Sequence, residues 1–223
     1  MTDAALYSAW LKCLFDHNED DGEIDAFSDE RIYSLPANNV LDLFTLTWQN
    51  YHKDVTGYSN WQISQGIMLA VNSDYSDLGA IMLHGAHDDD KPEVEKQTKA
   101  IQSIKLLFSE CFNTRCDHLF FERKQVDNPL NSVCYDFWRT TAITNCKPNP
   151  HSDTLYNALA DSMAFGLSLD NVACQQSAIR GLSDLSIDHK DASRSIEQYI
   201  DQNPNLSSTM LDYAKAGMAR RVW

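Results

Sequence analysis

One stretch, Val172–Leu185 with the sequence VACQQSAIRGLSDL, restricts the fold more than any other. Ala173, Ala178, Gly181 and Leu182 fall three and four apart, so one helical face carries mostly small side chains and Leu185 continues it. A neighbouring helix can come close to such a face. Asp170 or Asn171 can cap the start. The polar run SIDHKDAS separates this helix from a second pattern, Ile196, Tyr199 and Ile200, and after Asn-Pro-Asn at 203–205 a third amphipathic segment covers 206–219. The C-terminal third therefore reads as antiparallel helices around a close-packed central one.

The same period recurs upstream. Ala5, Leu6, Ala9, Trp10, Cys13 and Leu14 share a face over residues 3–15. Pro36 opens a helix to about residue 51, and 60–72 with 73–87 read as a helical hairpin with almost no linker. Asp90, Pro92, Glu93 and Glu95 form a start signal for a long helix with Ala100, Ile101, Ile104, Leu107, Phe108 and Cys111 inward. Residues 113–128 lack a sustained period and read as a long ordered connection, before helices that begin near Pro129 and Thr154. With only 8 Gly and 6 Pro there is little room for the frequent turns of an all-β fold. The expectation is one all-α domain over 1–223, with about ten helices in stacked antiparallel hairpins, HEAT-like or α-solenoid-like. No clean sequence repeat accompanies that spacing.

Three motifs carry a resemblance: PLNSVCYDFW at 129–138, ACQQSAIRGLSDL at 173–185 and the closing LDYAKAGMARRVW. With the helix IQSIKLLFSECF they resemble the C-terminal half of a family of mostly uncharacterised bacterial all-helical proteins, whose second motif reads closer to A-C-Q-E-S-A-L-H-G-L-G-H. Gln176, Ile179, Arg180, Ser183 and Asp184 depart from it. The resemblance implies HEAT-like packing and the company of immunity proteins that neutralise polymorphic or secretion-delivered toxins. It brings no catalytic role, and Arg180 reads as an outward or turn-facing charge near Asp184.

Eighteen basic against 32 acidic residues give a formal charge of −14. That balance disfavours nucleic acid and anionic lipid as direct ligands and favours a basic partner, although the excess acid also serves solubility. Six cysteines, at 13, 111, 116, 134, 146 and 174, stand next to apolar residues and lack metal-knuckle spacing, which fits core thiols in a reducing compartment. The N-terminus has no basic n-region, and the longest apolar runs, 66–71 and 79–83, are far below about 20 residues. A cytoplasmic protein without membrane contact is expected.

From Asp16 to Glu30 the chain holds eight carboxylates and neither Lys nor Arg. Glu19, Asp20, Asp21, Glu23, Asp25, Asp29 and Glu30, with Phe27 and Tyr33 as aromatic anchors, are the candidate partner-binding residues; Asp88, Asp89 and Asp90 form a second patch. His84, His87 and the three aspartates at 88–90 also contain metal-ligand types, but a helix end followed by an acidic helix start explains them without a metal. No G-x-S-x-G, H-E-x-x-H or glycine-rich phosphate loop occurs. The sequence thus points to a non-catalytic immunity protein that occludes a basic, cytoplasm-acting toxin such as a nuclease, needing no cofactor or metal. A helical scaffold or adaptor and a metal-dependent hydrolase using His84 to Asp90 are the alternatives.

Overall fold

Local chemistry sets most helix boundaries in the computed structural model, which describes residues 3–21, 30–120 and 127–221 apart from the side chains of Asp21, Glu30 and Arg31. Asp3 accepts from Ala5 N at 3.0 Å and opens α1 (Ala4–Phe15). A 3-10 turn, Glu19–Asp21, and one helical turn, α2 (Glu30–Tyr33), precede α3 (Ala37–Gln49), which starts behind Pro36. α4 (Tyr51–Asp54) follows, then α5 (Asn60–Val71) with a reciprocal capping box between Ser59 and Gln62. α6 (Leu78–His84) is short, and α7 (Val94–Leu106) runs on through a π-helical turn, Leu107–Phe112, into α8 (Asn113–Arg115). Asn128 caps α9 (Pro129–Thr140), with Pro129 at the first position, where its missing N–H costs nothing. α10 (Ser152–Leu167), α11 (Val172–Leu185), α12 (Ala192–Gln202) and α13 (Ser208–Met218) complete the chain, with Asn171 and Ser207 capping α11 and α13. The protein is all-α with about ten helices, as the periodicity predicts. Among the described residues no helix is long and apolar enough to cross a membrane.

Side-chain contacts sort the longer helices into two layers. In one, α3, α7 and α10 run the same way: Lys96 pairs with Asp42 at 2.7 Å, Asn38 and Glu93 exchange hydrogen bonds, and Ser162 donates to Ile101 O at 3.2 Å. In the other, α5, α9, α11 and α13 do the same, through Asn60 with Asn128, Ser177 Oγ donating to Cys134 O, and Ile179 beside Gly217. α10 and α11 are antiparallel across the short turn at 168–171, so the layers point in opposite directions. From α3 onward the longer helices alternate between them, α12 joining the first layer.

α11 sits at the centre, packed against α9, α10, α12 and α13. Only Val172, Gln175 and Asp184 are even partly exposed in it, so burial extends around the helix instead of following one face. The small residues matter at Gly181, where a Cβ would lie 2.7 Å from Cγ of Trp138. That close approach seats Trp138 in an aromatic cluster, stacked on Phe108 at 5.4 Å and edge-on to Phe137 at 4.9 Å.

Two local expectations are corrected. The link between α5 and α6 covers residues 72–77 and is longer than expected: Asn72 bridges to Thr141, and Ser76 donates to Leu69 O and accepts from Leu78 N. Arg180 is not an outward charge but 1% exposed, because the far side of α11 is covered too.

Candidate functional site

The acidic residues divide between two places. Glu19 and Asp20 are exposed in the turn after α1, where Glu19 accepts from Ser59 Oγ at 3.0 Å beside the start of α5. Asp21 ends that turn and Glu30 begins α2, whereas Glu23, Asp25, Phe27 and Asp29 lie outside the described residues. Tyr33 is half-buried and packs on the core. Asp88 and Asp89 are exposed in the connection between α6 and α7. Asp90 is half-buried, and a single carboxylate oxygen accepts from both Ala37 N and Ala86 N at 2.9 Å. It satisfies the first N–H of α3 and closes the 85–90 loop, which leaves α6 through Gly85 at φ 89°. Ser59 follows α3 and Ala37 begins it, so the two patches are separated by roughly 20 Å, the length of a 13-residue helix.

His84 and His87 are exposed next to the second patch. Among the described residues no three His, Cys, Asp or Glu side chains are grouped to hold a metal ion.

The end that carries Asp88 and Asp89 holds a feature no local pattern announces. Gln97 donates to Met82 O and Leu83 O, and Asn149 donates to Leu83 O, which ties the α6–α7 connection to the segment before α10. Beside that segment a cavity of about 270 Å³ opens between the ends of α9 and α11 and the start of α10. Trp138, Arg139, Tyr156, Met163, Asp184 and Asp188 line it. Arg139 Nε stands 3.4 Å from Asp184 Oδ2, and Lys147 Nζ stands 3.5 Å from Asp188 Oδ1. Burial pushes the Asp184 carboxyl up; Arg139 and Arg180 pull it down without cancelling the shift. Burial also raises the Tyr156 phenol, with the Asp188 carboxylate adding to it. Arg139 and Asp184 stand some forty-five positions apart on the parallel helices α9 and α11, and Tyr156 and Met163 come from the antiparallel α10, so sequence spacing cannot bring them together.

Behind the cavity, Arg180 donates from Nη1 to Asp136 Oδ1 at 2.8 Å and lies 4.0 Å over the Tyr135 ring. Its charge is thereby paired once and stacked once. A second cavity, about 470 Å³, lies at the opposite end among Gln175, Ser195, Gln198, Tyr199, Gln202 and Asn203; Tyr199 donates to Gln175 Oε1 at 3.0 Å there. Asp170 adds a carboxylate to its rim, and among the described residues no ion pair joins its lining side chains.

The cysteines behave as core residues. All six are free thiols; Cys13 is half-buried and the others are buried. Cys134 lies within hydrogen-bonding reach of Cys116 and Cys174, and burial raises it well above the ordinary thiol range. Burial likewise pushes Cys111 and Cys146 up to about 12, which keeps both protonated and unreactive near neutral pH. No family model, curated protein or solved structure matches the chain.

Proposed function

We propose that this chain is a non-catalytic binding protein of the immunity type, which fills the active-site groove of a basic bacterial toxin acting in the cytoplasm, such as a nuclease. The carrying observation is charge: a net −14, with Glu19, Asp20, Asp88 and Asp89 exposed in turns at the helix ends. A nuclease groove must attract phosphate, so it also attracts a protein that presents carboxylates, and blocking it requires no chemistry from the inhibitor. Preorganisation supports the same reading. Asp90 and Gly85 fix the loop that carries Asp88 and Asp89, so little conformational entropy is lost when those side chains are captured.

The test is co-expression with the product of a toxic reading frame adjacent to the gene. The expected result is rescue of growth and co-purification of the two proteins. Changing Glu19, Asp20, Asp88 and Asp89 to Gln or Asn should slow association by about 10-fold or more at low salt, read by stopped flow. Co-expression without rescue overturns the proposal.

A further inference from the structure

Between the C-terminal ends of α10 and α12 lies a space that the chain does not fill with apolar side chains. Small residues, Ala164 and Ser168 at the end of α10 and Ser195 on α12, leave open the cavity of about 470 Å³, a volume typical of small-molecule sites. Gln175 of α11 forms a fixed wall: its Oε1 accepts from the Tyr199 hydroxyl at 3.0 Å and its Nε2 donates to Leu169 O at 2.7 Å. Each of those amide atoms keeps a second hydrogen-bonding position. Ser195, Gln198 and Gln202 stand at i, i+3 and i+7 on one face of α12, and among the described residues their side chains have no hydrogen-bond partner. Asn203 donates to Tyr199 O at 2.8 Å, which leaves its own Oδ1 to accept. Leu167 and Leu169 supply an apolar floor, and the lining contains one carboxylate, Asp170, and no Lys, Arg or His.

The charge of the lining selects among ligands. A phosphate or carboxylate group would find no counter-charge there, and a single exposed carboxylate does not hold a cation against water. A wholly apolar ligand would strip water from the amides and return no hydrogen bond. An extended peptide pairs best with a strand edge, which the described residues of this all-α fold do not offer. A neutral molecule that donates and accepts at closely spaced atoms meets none of these objections. A carboxamide sets an acceptor beside a donor, the arrangement that neighbouring ring hydroxyls complement, and the leucine floor suits the C–H face of a ring. We propose that this cavity binds an uncharged sugar of one or two rings. Gln198 and Gln202 pair with its hydroxyls from the α12 side, the fixed Gln175 amide meets it from α11, and Asp170 accepts a hydroxyl proton at the rim. The site lies at the opposite end from Asp88 and Asp89 and does not rest on the toxin-binding reading.

The experiment titrates glucose, maltose and cellobiose into the intact protein while the side-chain amide resonances of its glutamines are followed by NMR. The expected result is a saturable shift of the Gln175, Gln198 and Gln202 signals with at least one of the three sugars. Glycerol, glucuronate and N-acetylglycine N-methylamide run in parallel, as a solvation control, a charged sugar and a peptide mimic, and each should shift these signals less. Gln198→Ala combined with Gln202→Ala should weaken sugar binding by about 10-fold or more. Ser195→Leu, which fills the cavity, should abolish it, and thermal melts check that both variants fold. No saturable shift with any of the three sugars overturns the assignment. So does an equal or larger response to glycerol, glucuronate or the peptide mimic, or binding that survives unchanged in both variants. Because no toxin enters this titration, its outcome and that of the rescue experiment are independent.

Discussion

Arg180 is a full positive charge at 1% exposure, held by one carboxylate and one aromatic ring. Its partner Asp136 is 36% exposed in its side chain, so the pair is only half withdrawn from water. Removing the arginine would empty the space above Tyr135 and leave Asp136 without its cation. Arg180→Ala is expected to cost about 3–5 kcal/mol, as when one partner of a buried pair is lost, and urea denaturation measures it. Asp136→Asn should cost less, since its side chain still reaches solvent. Nothing in the sequence distinguishes Arg180 from a surface arginine. Its burial follows from α9 and α13 packing on α11, with Tyr135, Asp136 and Tyr213 around it, and periodicity within one helix carries no information about what covers its far side.

Helix by helix, the sequence is legible where start and stop signals are local. Asn171 and Asn128 each accept from a backbone N–H inside the helix they open, and those starts are readable directly, whereas the last helix begins behind Ser207 and not at residue 206. Asn171 also donates to Asn113 O at 3.3 Å and Cys116 O at 2.8 Å, so it ties α11 to the end of the π-helical turn. Asn171→Ala should therefore cost more than an ordinary cap, about 2–3 kcal/mol, and thermal unfolding monitored by circular dichroism tests it. The connection between α5 and α6 was not legible because its anchor, Thr141, lies in a distant segment. The same holds for Asp90, which reads as a cap for the helix that follows it and instead serves the start of α3. The acidic signature predicts a cap correctly in kind; chain folding decides which helix receives it.

Across the whole molecule the buried protons matter together. Cys111 and Cys146 ionise only near 12 in the folded protein against an ordinary thiol value of 9.0, and Tyr7 near 12 against 10.0, with Tyr51 and Tyr213 raised in the same direction by burial. Above pH 9 the unfolded chain releases these protons first and the folded chain keeps them. Stability should then fall steadily from pH 9 toward 12, as denaturation midpoints measured across that range would show; a flat profile would contradict the burial of these groups. Asp184 follows the same rule in the acid range. Its raised carboxyl means that charged burial is unfavourable at neutral pH and is relieved as pH falls through its folded value.

The candidate site was legible only as composition. The acid excess and the exposed Asp88 and Asp89 follow from the sequence, whereas the cavity, built from Trp138, Tyr156 and Asp184, required α9, α10 and α11 to bring distant positions together. The opposed direction of the two layers has one more effect. At each end, helix N-termini of one layer stand beside C-termini of the other, so the axial peptide dipoles largely cancel and the backbone leaves little field of its own. The electrostatic character of either end is therefore written in the turns, by residues such as Asp88 and Asp89 that contribute nothing to the interior. Such a scaffold can exchange one partner for another by substitution in its connections while every packed layer stays unchanged.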